Sequence, residues 1–299
     1  MTVASPAPTP ALTVPADPRA DIAGYLDRLG LERPSRPDVA WLLAAHRAHT
    51  ARIPYENIDI HLERPTSVDP VESIDRIVGG RGGYCFHLNG AFGTLLACLG
   101  YEVTRHIGDA RGDDPDEEVP EVDNNHQVLL VRCEGETWFV DTGLIDAPWE
   151  PMPLRAETSE QGPFTYRLEP WTQRAGGWRF VHDRHGLFTS MVFTTEPVTI
   201  EAFAEAHVHL STSPDSSFVR RLSVGRQDEQ GVDLIRGRVL LRVDAAGRTS
   251  RILETEGEWF AALADVFGLR LPDVDRDARA RLWARVSAAH ERWLAAQGA

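Results

Sequence analysis

The spacing of apolar residues changes character at Gly100, and a fold for this chain has to serve both halves of that change. Before it, "DIAGYLDRLG" sets Ile22, Tyr25, Leu26 and Leu29 on one helical face, with Gly30 as a stop. "PDVAWLLAAHRAHTARIP" repeats the pattern with Val39, Leu42 and Leu43 and must end before Pro54. "VESIDRIV" is a third short helix. After Gly100, "YEVTRHIGDA", "HQVLLVRCEGETWFVDTGL" and "FTYRLE" alternate or run apolar over short lengths between turn residues, which is strand behaviour. In the last third, "TIEAFAEAHVHLST" reads as helix and "RGRVLLRVDAAGRTSRILE" as a hairpin. Thr255 and Glu258 then form a capping box, Gly268 ends that helix, and "DRDARARLWARVSAAHERWLAAQ" supplies a closing amphipathic one. Helices come first, strands second and a mixture last, so the fold class is α+β.

Bulk properties remove several kinds of function. A chain of 299 residues with 42% apolar and 25% charged residues is globular in composition. No apolar run approaches the ~20 residues of a membrane span, and the N-terminus does not read as a signal peptide. A net charge of −14 argues against nucleic acid and anionic membranes as partners, so an anionic ligand needs a local arginine patch. Three cysteines, Cys85, Cys98 and Cys133, are too few and odd in number for a disulfide framework and fit a reducing, cytoplasmic location.

Cys85 opens the segment "CFHLNGAFGTLLACLG", in which Phe86, Phe92, Leu95, Leu96 and Leu99 anchor a helix that Gly100 stops. A sulfur at a helix N-terminus meets unpaired N–H groups and the positive end of the dipole, which stabilise a thiolate. A lone cysteine is otherwise a small buried hydrophobe, so the distinction rests on a base. If Glu134 and Gly135 form a two-residue hairpin turn, Asp141 faces Val128, which shares a strand face with His126. His126 and Asp141 are then diagonal neighbours, roughly 7 Å apart at the backbone, within reach of a carboxylate–imidazole bond. A three-residue turn would send Asp141 to the other face. Elsewhere, "HVH" at His207–His209 and "HDRH" at His182–His185 lack a cysteine or acid cluster at ligand spacing, so no metal is expected. "GGRGG" lacks the Lys and Ser/Thr of a phosphate-binding loop.

"RGGYCFHLN", the following His126, and Asp141 in "FVDTGL" together resemble the arylamine N-acetyltransferase family. "RIPYENIDI" and "TIEAFAEAHVHLSTSPDSSF" are similar to further family segments, so the resemblance spans about Asp21 to Leu271. It implies a three-part architecture: an N-terminal helical bundle, a central antiparallel β-barrel and a C-terminal α/β lid around a cysteine-protease-like core. On this sequence these fall at 21–103, 104–211 and 212–299, after a disordered tail at 1–20. It further implies Cys85 as acyl-accepting nucleophile, His126 as base and Asp141 as orienting carboxylate, with acetyl-CoA as cosubstrate and a small aromatic amine, arylhydroxylamine or hydrazine as acceptor. The residues it suggests for CoA are Ser216, Arg220, Arg221 and His209, and those for the acceptor pocket are Tyr55, Phe86 and Leu144.

The sequence also departs from the family pattern. His87 stands where Glu or Gln is common and reads as a surface substitution, and Leu144 takes a place that is usually aromatic. His209 takes one where relatives carry Tyr, and the acidic run at 113–123 reads as a solvated loop. Other readings remain: an amide synthase moving a polyketide chain from an acyl carrier protein onto an arylamine, a transglutaminase- or peptidase-like cysteine enzyme, and a non-catalytic binding module.

Overall fold

A computed structural model describes residues 12–111 and 122–297. The first block holds helices α1 (Ile22–Leu29) and α2 (Val39–Arg52), a two-residue strand β1 (Tyr55–Glu56), and helices α3 (Ile58–His61), α4 (Pro70–Val78) and α5 (Cys85–Cys98). Local chemistry sets their ends. Asp21 caps α1 by accepting from the Gly24 N–H, Asp38 caps α2 at Trp41, and Gly30 closes α1 in the left-handed conformation at φ 63°. The amphipathic α1 and α4 pack around α5, whose first twelve residues, Cys85 to Leu96, are all buried. A helix apolar on every side belongs at the centre of its block.

Residues 12–20 begin the ordered chain earlier than the expected boundary at Asp21. Val14 is 6% exposed and its N–H donates to the Val103 carbonyl at 2.8 Å, while Thr13 bridges Thr104. The rest of the expected tail, and all but the end of the acidic run, lie outside the described residues.

Strands β2 (Glu102–Arg111), β3 (His126–Cys133), β4 (Glu136–Val140), β5 (Met152–Pro153), β6 (Glu157–Gln161), β7 (Phe164–Pro170), β8 (Gly177–Val181) and β9 (Ser190–Thr194) form an antiparallel sheet ordered β5-β4-β3-β2-β9-β8-β7-β6. β4 and β8 would stand roughly 19 Å apart in a flat sheet at ~4.8 Å per strand. Their Phe139 and Phe180 rings are 5.3 Å apart, so the sheet curls into a nearly closed barrel around an aromatic interior. The β3–β4 turn is the two-residue type: Glu134 and Gly135 take φ 51° and 86°, and Leu129 faces Val140. That is the register that brings Asp141 to the His126 face.

A 3₁₀ turn at Ile200–Phe203 leads into α6 (Ala204–Thr212) and α7 (Ser217–Arg220). The last block contains β10 (Ser223–Asp228), β11 (Gly231–Arg236), β12 (Val239–Asp244), β13 (Gly247–Ile252), α8 (Glu256–Phe267) and α9 (Arg276–Gln297). Thr255 and Glu258 make the expected capping box, and Gly268 ends α8 at φ 72°. The sheet of this block runs β1-β10-β11-β12-β13, so its edge strand comes from the helical block. Periodicity cannot register a strand of two residues; pairing with β10 creates it. Asn57, next in the chain, accepts from the Ser223 N–H and donates to the Phe218 and Arg221 carbonyls, which fixes the crossing. Among the described residues no helix is long and apolar enough to cross a membrane.

Candidate active site

The loop before α5 is held from below by buried charge. Arg81 reaches Glu56 at 3.1 Å and Asp59 at 3.2 Å, and Arg76 pairs with the same two carboxylates. Two sequence motifs, "RIPYENIDI" and "RGGYC", are thus one ion network, whose value depends on every partner being present. At Gly82 a side chain would run into the Pro54 carbonyl, so only glycine lets the loop lie this close.

Cys85 follows as the first residue of α5, 3% exposed, with its sulfur 3.7 Å from the Asn125 carbonyl oxygen. His87 is not on the surface as its sequence position suggested. It is 2% exposed, and its Nδ1 accepts from the Tyr84 N–H at 3.3 Å. It performs the third-position duty of a capping box, which Glu or Gln ordinarily fills, and that explains how the substitution is accommodated.

β3 delivers His126 at its first residue and β4 releases Asp141 just past its last. His126 Nε2 lies 2.6 Å from Asp141 Oδ2, with both groups buried. The other Asp141 oxygen accepts from the Gly143 N–H at 2.8 Å and from Asn89 Nδ2 at 3.0 Å. Gly143 crosses directly over the nucleophile: a Cβ there would stand 2.8 Å from Cys85 Cα. With Nε2 taken by Asp141, Nδ1 is the nitrogen left for the Cys85 sulfur, which lines the same cleft.

Burial alone pushes the His126 imidazolium toward neutrality. The Asp141 charge and hydrogen bond, with a smaller contribution from Cys85, outweigh it and raise the group to about 10. His49 is the control. It is equally buried but is bonded to the Tyr25 hydroxyl instead of a carboxylate, and burial with repulsion from His46 takes it down to about 3. Asp141 therefore decides the charge state of His126.

Cys85 and His126 open onto a cleft of about 840 Å³ between the barrel, α6–α7 and the last block. Of the residues proposed from sequence, Tyr55, Leu144, His209, Ser216 and Arg220 line it. Phe86 does not: it is fully buried, its ring 5.3 Å from Phe203, because the position after Cys85 points into the helix packing. Arg221 does not: it lines a neighbouring groove, which Arg220 and Arg236 reach as well. Ser216 lines the wall but its Oγ is engaged, accepting from the Phe218 N–H and donating to the Leu210 carbonyl.

Three contributors were absent from the sequence reading. Asn89 ties α5 to β3 and to the Asp141 loop, accepting from the Thr142 N–H at 2.8 Å and donating to the Gln127 carbonyl. Arg236 lines the cleft and has no carboxylate at ion-pair distance among the described residues. Its signal was present in β11, where Val232, Leu234 and Arg236 share a face and the third is charged. The β8–β9 loop adds Leu187 and Phe188, held by the Leu187 N–H donating to Asp146 Oδ2 at 2.6 Å.

The histidine pairs considered for metals have other duties. His207 Nδ1 meets the Tyr84 hydroxyl at 2.6 Å, and His182 Nε2 faces Asp146 Oδ2 at 3.2 Å. The described residues contain no group of three or more potential metal ligands.

A family model described as N-acetyltransferase matches residues 38–276. The chain belongs to the arylamine N-acetyltransferase family. It is 33% identical over 283 residues to an arylamine N-acetyltransferase of Mycolicibacterium smegmatis, covering 88% of this chain and 97% of that one. It is 31% identical over 266 residues to the Mycobacterium tuberculosis H37Rv enzyme of the same name, covering 85% and 91%. Among solved structures, arylamine N-acetyltransferase from Mycobacterium marinum in complex with CoA superposes with a TM-score of 0.80 at 29% identity, covering 90% of this chain and 99% of that one. Membership makes this chain an acyltransferase and its three-block architecture the family's own.

Asn89→Ala is expected to destabilise the fold by about 2–4 kcal/mol, because it removes the buried partner of Gln127, Asp141 and Thr142 at once. Urea unfolding of the variant beside the wild type measures this.

Proposed function

We propose that this chain moves an acetyl group from acetyl-CoA, through a thioester on Cys85, to the nitrogen of an arylamine, arylhydroxylamine or hydrazine. The observation that carries the reading is the buried His126–Asp141 pair at 2.6 Å, whose imidazole lines the same cleft as a sulfur that starts a helix.

In the first half-reaction the Cys85 thiolate attacks the acetyl carbonyl carbon. The carbon–sulfur bond to CoA breaks, and CoA leaves with the proton that His126 holds. N–H groups in the first turn of α5 are the candidates for the developing oxyanion. In the second half-reaction the amine nitrogen attacks the thioester, His126 takes its proton and Cys85 is released. Exchanging one thioester for another keeps the first step nearly thermoneutral, which is what a sulfur nucleophile contributes. Asp141 holds the ring in one tautomer and stabilises its charged form.

Arg220 and Arg236 supply the local positive charge that the acidic chain otherwise lacks, and we assign them to the CoA phosphates, with Ser216 and His209 on the same wall. The M. marinum relative's structure in complex with CoA supports a CoA site in this architecture. Tyr55, Leu144 and Phe188 are assigned to the acceptor. Arg236→Gln is expected to raise KM for acetyl-CoA about tenfold or more with little change in kcat, the loss of a charge-assisted hydrogen bond. Steady-state kinetics with acetyl-CoA varied measures it.

Intact-mass spectrometry after incubation with acetyl-CoA and no amine tests the reading. The expected result is one acetyl group on Cys85 that disappears on adding an arylamine. Turnover without a covalent adduct under any condition would remove the thioester route.

A further inference from the structure

β2 carries a second residue that breaks its own pattern. Val103, Arg105 and Ile107 share the face turned to α5, and the middle one is an arginine only 5% exposed. Arg105 has no carboxylate at ion-pair distance among the described residues. Its Nε has no hydrogen-bond partner, and Nη2 reaches only Thr94 Oγ1 at 3.4 Å. Burial without a partner pulls the guanidinium down to about 10, and the charge of Glu201 offsets this only in part. Arg81, the other buried arginine among the described residues, is paired with Glu56 and Asp59.

Arg105 lines a cavity of about 630 Å³ on the far side of α5 from the main cleft, with none of its lining residues in common. That volume suits a small organic ligand. Leu12, Val68, Val198 and Ile200 make much of the wall apolar, and Asp17, Asp69 and Glu201 are its acids. Arg19, the other cation there, is spoken for by Asp17 at 2.7 Å and Asp69 at 3.9 Å. Beyond the described residues, 1–11 contain no acidic side chain.

We propose that this cavity binds a small monocarboxylic acid with an apolar body, its carboxylate paired with Arg105 and its body against Leu12, Val68, Val198 and Ile200. One unpaired guanidinium matches one negative charge. The surrounding carboxylates disfavour phosphates and polycarboxylates, and the apolar wall favours an aromatic or aliphatic body over a bare anion. The proposal is independent of the Cys85 chemistry.

Thermal shift and calorimetric titration of the full chain with benzoate, octanoate and inorganic phosphate test it. The wild type is expected to bind benzoate or octanoate saturably, with Tm rising, and phosphate more weakly. In Arg105→Met that affinity falls about tenfold or more, the loss of a charged hydrogen-bond partner, while acetyl transfer is unchanged. Arg236→Gln binds the acids as the wild type does, which separates this cavity from the main cleft. Should Arg105→Met fail to fold, Ala204→Trp fills the cavity with Arg105 intact and gives the same loss. Absence of saturable binding, equal binding by wild type and both cavity variants, or tighter binding of phosphate than of either acid would each overturn the proposal.

Discussion

Cys85→Ala is expected to abolish acyl transfer and to leave no acetyl adduct by intact mass, with the fold retained. The argument is one of access and partnership. Cys133 is buried in the helical core, and the Cys98 sulfur contacts the Asp17 carbonyl at 3.7 Å on another face. Of the three, only Cys85 lines the main cleft, and it shares that wall with the His126 imidazole. Alanine keeps the helix start and removes only the sulfur, so stability falls little. Cys98→Ala and Cys133→Ala are expected to lose some stability and keep activity. A folded, inactive Cys98→Ala would move the nucleophile elsewhere.

Asp141→Asn is expected to lower kcat by about 10³–10⁴-fold, the scale seen when the orienting carboxylate of a Ser-His-Asp site is neutralised. The amide fits the same space but offers the ring a donor where an acceptor stood, which selects the wrong tautomer. The charge effect has its own readout. Because His126 is raised in the folded protein, its contribution to stability is fully present below its unfolded value near 6.5 and is lost as pH rises through about 10. In Asp141→Asn burial prevails, the ring is neutral when folded, and this stabilisation between neutral and alkaline pH disappears. Urea unfolding of wild type and variant across pH 6.5 to 10 measures the difference; identical profiles would mean that Asp141 does not set the charge on His126.

Features written in short-range chemistry could be read directly from the sequence. The Glu134–Gly135 turn fixed a hairpin register, and that register alone placed His126 and Asp141 together before any fold was known. The helix from Cys85, the Thr255–Glu258 box and the Gly268 stop are local in the same sense. What escaped depends on distant partners. Whether Phe86 faces the cleft or Phe203 is decided by an element more than a hundred residues away, and whether Arg221 reaches the cleft depends on the walls that the barrel and the last block bring to it. Asn89 reads as an ordinary polar residue until β3 and the Asp141 loop arrive beside it. His87 was misjudged because its job is to accept from a backbone amide, which a histidine can do from inside. Arg105 and Arg236 were visible as breaks in strand alternation, but a break shows only that something is unusual, and the cavities show what.

The pairing of Tyr55 with Gly225 and of Glu56 with Val224 stitches the first block to the last at the rim of the main cleft. With Asn57 bonded to the same crossing, these two walls cannot swing apart like a hinged jaw without tearing main-chain hydrogen bonds. Entry and exit of substrates must then be managed by the α6–α7 and β8–β9 segments, so traffic, and with it the choice of amine, is governed at the gateposts while the walls stand still.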